Sequence, residues 1–180
     1  ILLAAIVGCG QPPEEEMSAA RQAVEDAANN PEVSRYAPQT LERARRLLSE
    51  METAAEDGEY DSAESLAQQA TDAAEQAIQE AASAKERAQA AAESAVSSAA
   101  SALEEARGSL DEARGVRGIR LDFQAAGRDL EEAAESVASA RSALDDEEFS
   151  EAESTAENAR STISSVVRRV SDAVRAASRK

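Results

Sequence analysis

The alanines between Ala63 and Ala88 restrict the fold of this chain more than any other feature. Ala63, Ala67, Ala70, Ala74, Ala77, Ala81, Ala84 and Ala88 recur in alternating steps of four and three. That spacing keeps one stripe of a helix turned toward a neighbour. Alanine has the highest helix propensity, and at a seam it lets helix axes approach to the close end of the usual range, about 8 Å. A buried methyl group contributes only about 0.8 kcal/mol. The 42% hydrophobic content is therefore largely alanine and does not imply a thick core. Aromatic residues make up only 2% of the chain, which disfavours strands. The expected class is all-α, elongated and coiled-coil-like, built from antiparallel helical hairpins.

The few breakers divide the helices. Asn29-Asn30-Pro31 ends a first short helix, because asparagine tolerates a helix C-terminus and proline cannot continue the ladder. Pro38 suits the first turn of the next helix, which carries Leu41, Ala44, Leu47, Leu48, Met51, Ala54 and Ala55. Asp57-Gly58 supplies a turn, and the alanine helix follows from Tyr60. Its firm punctuation comes only at Gly115 and Gly118, so an unbroken helix there would measure about 80 Å at 1.5 Å per residue.

A shift of 89 positions, the offset between Tyr60 and Phe149, brings the chain into register with itself. Leu41 meets Leu130, Ala44 meets Ala133, Ala54 meets Ala143, and Ala63-Glu64-Ser65 meets Ala152-Glu153-Ser154. Self-similarity of this kind marks a structural unit used twice. An acidic turn, Asp145 to Glu148, replaces the glycine turn in the second copy. The organisation expected is a first hairpin unit over 17–114 with the long helix, and a second over 115–180, the two in tandem and sharing a long central helix.

Cys9 is the single cysteine, so no disulfide can form within the chain. It follows the apolar run Ile1 to Gly8, which is far too short for the roughly twenty residues that span a bilayer. Ile6-Val7-Gly8-Cys9 resembles a bacterial lipobox. The resemblance implies that the Cys9 thiol is acylated, the leader is removed ahead of it, and cysteine becomes the new N-terminus. Residues 1–8 then read as the remnant of a lipoprotein signal peptide. Residues 9–16 read as a lipidated tether, stiffened by Pro12 and Pro13 and charged by Glu14, Glu15 and Glu16. Lipoproteins kept in the inner membrane typically carry Asp where Gly10 stands, so the resemblance points to the outer membrane, facing the periplasm. The competing reading is a buried free thiol, but no amphipathic helix surrounds Cys9 to bury it.

Tyr36-Ala37-Pro38, Leu41, Ala44, Gly58-Glu59-Tyr60, Ala63 and Leu66-Ala67 together resemble a family of small bacterial lipoproteins. Its members pair a lipobox with an alanine-rich helical-hairpin domain of unknown function. The resemblance covers about residues 18–80. The second unit lacks the Tyr-Ala-Pro element and the turn glycine. Arg179-Lys180 resembles the C-terminus of the murein (Braun) lipoprotein family, where a terminal lysine is linked covalently to peptidoglycan. The resemblance makes Lys180 a candidate attachment residue; equally, a basic helix end complements the helix dipole.

Charge and residue inventory restrict the chemistry. With 36 acidic against 19 basic residues the net charge is −17, which repels nucleic acid. There is no histidine, and a lipid-bound cysteine removes the one thiol nucleophile. Glu56, Asp57, Glu59 and Asp61 do not follow a calcium-loop spacing. No cofactor, metal site or enzymatic activity is expected. The function expected is non-catalytic: a structural or scaffolding lipoprotein attached to the membrane by its lipid. Two alternatives stand beside it. One is a protein-binding adaptor with a groove around Tyr36, Leu47, Tyr60 and Leu66. The other is a covalent peptidoglycan tether through Lys180. Expected partners are envelope components, the membrane, peptidoglycan or other envelope proteins, and an alanine seam can also close between copies as a homo-oligomer.

Overall fold

The computed structural model describes residues 11–179. Within that range every regular element is α-helical: α1 (Glu14–Asn29), α2 (Pro31–Tyr36), α3 (Pro38–Glu56), α4 (Tyr60–Arg114), α5 (Phe123–Asp145) and α6 (Phe149–Ser178). The all-α expectation holds, and the breaks fall at the residues named above. Asn30 follows α1, and its side chain caps α2 by accepting from the Glu32 N–H at 2.9 Å. Pro31 and Pro38 occupy first turns, and Gly115 and Gly118 lie in the loop after α4. Glu14, Glu15 and Glu16, expected in the tether, instead form the first turn of α1. Carboxylates there complement the positive end of the helix dipole.

The chain packs as two units, one ending at Glu86 and the other beginning at Arg87. In unit 1, α3 and the first part of α4 form an antiparallel hairpin, and α1 lies against it as a third helix. Met17, Ala20, Val24 and Ala27 of α1 join Leu41, Ala44, Met51 and Ala54 of α3 in one core. α4 contributes Ala63, Ala67, Ala70, Ala74, Ala77 and Ala81, as the stripe requires, and Ala73 besides. The stripe lapses at Ala84 and Ala88, both half-buried, and resumes fully buried at Ala92.

Unit 2 repeats the plan with the remainder of α4 as its third helix. Ala92, Val96, Ala99, Leu103, Ala106, Leu110 and Ala113 continue the four-three spacing. Ala92–Ala99 packs with Val137–Ala143 and Phe149–Ala159. Leu103–Ala113 packs with Ala126–Ala133 and Ile163–Val170. This order makes α5 antiparallel to both α4 and α6, and makes α4 and α6 parallel to one another. Residues 87–114, grouped by sequence with the first hairpin, thus share their cores with α5 and α6. No glycine or proline marks the change, because an unbroken helix can serve different partners along its length.

The 89-residue offset is visible in the packing. Leu41 and Leu130, Ala44 and Ala133, Ala54 and Ala143, Ala63 and Ala152, Ala67 and Ala156, and Ala70 and Ala159 are all buried. The two hairpin turns are built alike. The Glu59 N–H donates to the Ala54 carbonyl at 2.8 Å and the Gly58 N–H to Ala55 at 3.2 Å. At the shifted positions Glu148 donates to Ala143 at 2.8 Å and Glu147 to Leu144 at 3.2 Å. Both are Schellman ends, which place the residue after the C-cap in the left-handed region. Gly58 does so at φ 76°; Glu147 does so at φ 60°. A side chain in that conformation is strained by roughly 1–2 kcal/mol, offset in part by the chain entropy that glycine adds to the unfolded state. Glu147→Gly is therefore expected to stabilise unit 2 by about 0.5–1 kcal/mol. Gly58→Ala should destabilise unit 1 by about 1 kcal/mol. Urea unfolding of the two variants checks both signs.

Candidate functional site

Cys9 and Lys180, the two candidate modification residues, both lie outside the described residues. The chain emerging into the described region is Gln11, Pro12 and Pro13, followed by α1. Met17 is the first buried side chain among the described residues. Residues 11–16 therefore add nothing to the buried core, which begins once α1 is under way.

Of the four residues expected to line an adaptor groove, Tyr36, Leu47 and Leu66 are half-buried against the core of unit 1. Tyr60 is half-buried at the start of α4 and is not part of that cluster. The Arg35 guanidinium lies over the Tyr36 ring, 5.4 Å from its centroid. These side chains brace the hairpin's flank. Glu56, Asp57, Glu59 and Asp61 are solvent-exposed around the α3–α4 turn. Among the described residues no group of three or more His, Cys, Asp or Glu is arranged to hold a metal ion. No polar or charged residue among them is buried.

Polar contacts between helices follow the repeat. In unit 1 the Thr40 hydroxyl of α3 donates to Glu80 of α4, and Gln76 donates to the same carboxylate at 2.7 Å. These two hydrogen bonds, with the Arg43 charge nearby, hold the Glu80 carboxyl below the usual carboxylate range. In unit 2 the positions equivalent to Thr40 and Glu80 are Asp129 and Arg169, which form an ion pair between α5 and α6. A hydrogen bond in one unit has become a salt bridge in the other, with the same two helix faces joined. The Lys85–Glu32 ion pair, at 2.9 Å, changes more. Its counterparts in unit 2 are Val174 and Leu121, both packed against the core.

That exchange accompanies a change in seam size. Ala74, Ala77 and Ala81 of unit 1 correspond to Ile163, Val166 and Val170 of unit 2, all six buried. Bulkier seam residues hold helix axes farther apart. Alongside them a groove of about 540 Å³ runs between α4 and α6, floored by Ala113, Val116, Val167, Val170 and Val174. It meets a second depression that shares Ser109 and Val167 with it and extends to Glu105 and Arg168. Val167 is 39% exposed, and its counterpart in unit 1, Ile78, is 37% exposed. These are the two large hydrophobic side chains left open to solvent among the described residues, and they are one repeat apart.

Sequence reasoning did not single out this groove. Its two walls are about sixty residues apart along the chain and meet only when α4 and α6 lie side by side.

The family model described as a domain of unknown function, DUF4398, matches residues 15–93. The matched segment contains α1 from its second residue, α2, α3 and the part of α4 that packs with them, so it covers every residue of the unit 1 core. No curated protein and no solved structure matches the chain.

Proposed function

We propose that the chain is a lipid-anchored bacterial envelope protein with a non-catalytic, structural role at the periplasmic face of the outer membrane. The observation that carries this reading is the order of parts. A lipobox-like Ile6-Val7-Gly8-Cys9 is followed by Gly10, the Gln11-Pro12-Pro13 segment and then helical units whose first buried residue is Met17. An acylated Cys9 would hold the protein at the bilayer, and the proline segment would keep the folded units clear of it. No described helix is long and apolar enough to cross a membrane, and in this reading the acyl chains supply the attachment. Two or more chains make such anchoring stable, at about 0.8 kcal/mol per buried CH₂.

The units themselves support a mechanical role. Their cores are wholly apolar among the described residues. Their charges lie on the surface. DUF4398 itself has no assigned function, and the role proposed here rests on Cys9 and the character of the units.

Metabolic labelling with a clickable palmitate tests the reading. The wild type is expected to take the label and to sediment with outer membranes. Cys9→Ala should lose the label and pass into the soluble fraction. Label that persists in Cys9→Ala, or a wild type without label, contradicts the proposal.

A further inference from the structure

The groove on unit 2 has walls of opposite charge. Along α4, Glu105 and Glu112 stand seven residues apart; along α6, Arg168 and Arg175 do the same. Seven residues are two helical turns, about 10.5 Å at 1.5 Å per residue, so each wall carries a charge at the same level of successive heptads. Between the walls lie Val116, Val167, Val170 and Val174. An apolar seam flanked by heptad-spaced charges is the arrangement by which coiled-coil helices choose their partners. Glu105, Glu112 and Arg168 make no ion pair among the described residues, and Arg175 pairs with Asp172 of its own helix. All four side chains are exposed.

We infer that this face of unit 2 is a dimerisation surface for a second copy of the same chain. The charge pattern selects that occupant because the face is complementary to itself. α4 and α6 run parallel, so a half-turn about an axis along the helices lays α4 of one copy over α6 of the other. The acidic wall then meets the arginine wall on both sides of the seam. Levels match as well: the groove stretch lined by Ser109 to Val116 is the stretch lined by Val167 to Arg175, so Glu112 comes level with the segment between the two arginines of the second copy. A two-fold axis across the helices would instead set glutamates against glutamates. The isologous parallel contact is the one the charges permit.

Unit 1 shows what the surface requires. Its counterpart of Val167, Ile78, is equally open, but the four wall positions there are Glu16, Ala23, Gln79 and Glu86. That face has no basic wall and repels its own image. Self-association therefore belongs to unit 2 and is independent of the lipid anchor.

Sedimentation of the full chain carrying Cys9→Ser, which removes any acyl contribution, tests the inference. A reversible monomer–dimer equilibrium is expected across a concentration series. Arg168→Glu/Arg175→Glu, with two acidic walls, should weaken it at least tenfold, as should Glu105→Arg/Glu112→Arg, with two basic walls. An equimolar mixture of these two double variants should recover the dimer as a heterodimer, which a misfolded variant could not do. Val167→Lys, at an exposed seam position, should also give monomer with unchanged helix content. A wild type that stays monomeric overturns the inference. So does self-association indifferent to the charge reversals, or a mixture that does not pair.

Discussion

Met51→Ala is expected to destabilise unit 1 by about 3 kcal/mol, a large share of the 5–15 kcal/mol typical of a folded domain. Met51 is the largest fully buried side chain in the unit. Around it the core is mostly alanine, including Ala54, Ala63, Ala67 and Ala70. Alanine has no side-chain rotamer to adjust, so the void left by the thioether can close only if helix axes shift. That places the cost within the usual range for a core methionine truncated to alanine, roughly 2–5 kcal/mol. Met51→Leu, which nearly conserves volume, should cost less than about 1.5 kcal/mol. The chain offers a clean probe: it has no tryptophan, and its two tyrosines, Tyr36 and Tyr60, both belong to unit 1. The urea midpoint followed by tyrosine fluorescence should fall by about 2 M for Met51→Ala. An unchanged midpoint would mean that Met51 does not fill the hairpin core.

Ile163→Ala is expected to have a comparable effect in unit 2, again about 3 kcal/mol. Ile163 is fully buried with Leu103, Leu110, Leu130 and Val166. Its repeat counterpart is Ala74, also fully buried. The reverse exchange, Ala74→Ile, should cost about 2 kcal/mol through overpacking. Loss in both directions is the informative outcome, because it says that each unit's helix spacing is fitted to its own seam residues. If one direction were neutral, the two seams would share a spacing, and the groove beside α6 would need another cause. Native-state hydrogen exchange separates the units: Ile163→Ala should reduce protection of α5 amides while α3 amides keep theirs.

Much of this architecture was legible in the residues. Pro31, Pro38, Asp57-Gly58 and Gly115 each end or begin a helix because their backbone restrictions act locally. The 89-residue offset was legible because seam positions tolerate few residue types, so Leu41 and Leu130 or Ala63 and Ala152 stay alike. Other features left no local mark. A helix carries no sign of which neighbour it serves, so the transfer of α4 from one unit to the other at Glu86–Arg87 is silent. Glu147 in the left-handed region is silent too, since the hydrogen bonds of the turn impose the conformation whichever residue occupies it. Glu14–Glu16 suit a solvated tether and a helix N-terminus equally well, and only the packing of Met17 against the hairpin separates the two. The paired walls Glu105/Glu112 and Arg168/Arg175 each read as an ordinary solvated face until the fold sets them across a common groove. The Cys9 motif is different in kind: the acylation proposed for it is covalent chemistry, which a fold does not display.

Intact mass and N-terminal peptide analysis of the protein purified from its own membranes tests the proposed anchor most directly. The account predicts a mature chain that begins at Cys9, with a thioether-linked diacylglycerol on its sulfur and residues 1–8 gone. A peptide running through Ile6-Val7-Gly8-Cys9 with an unmodified thiol would contradict it.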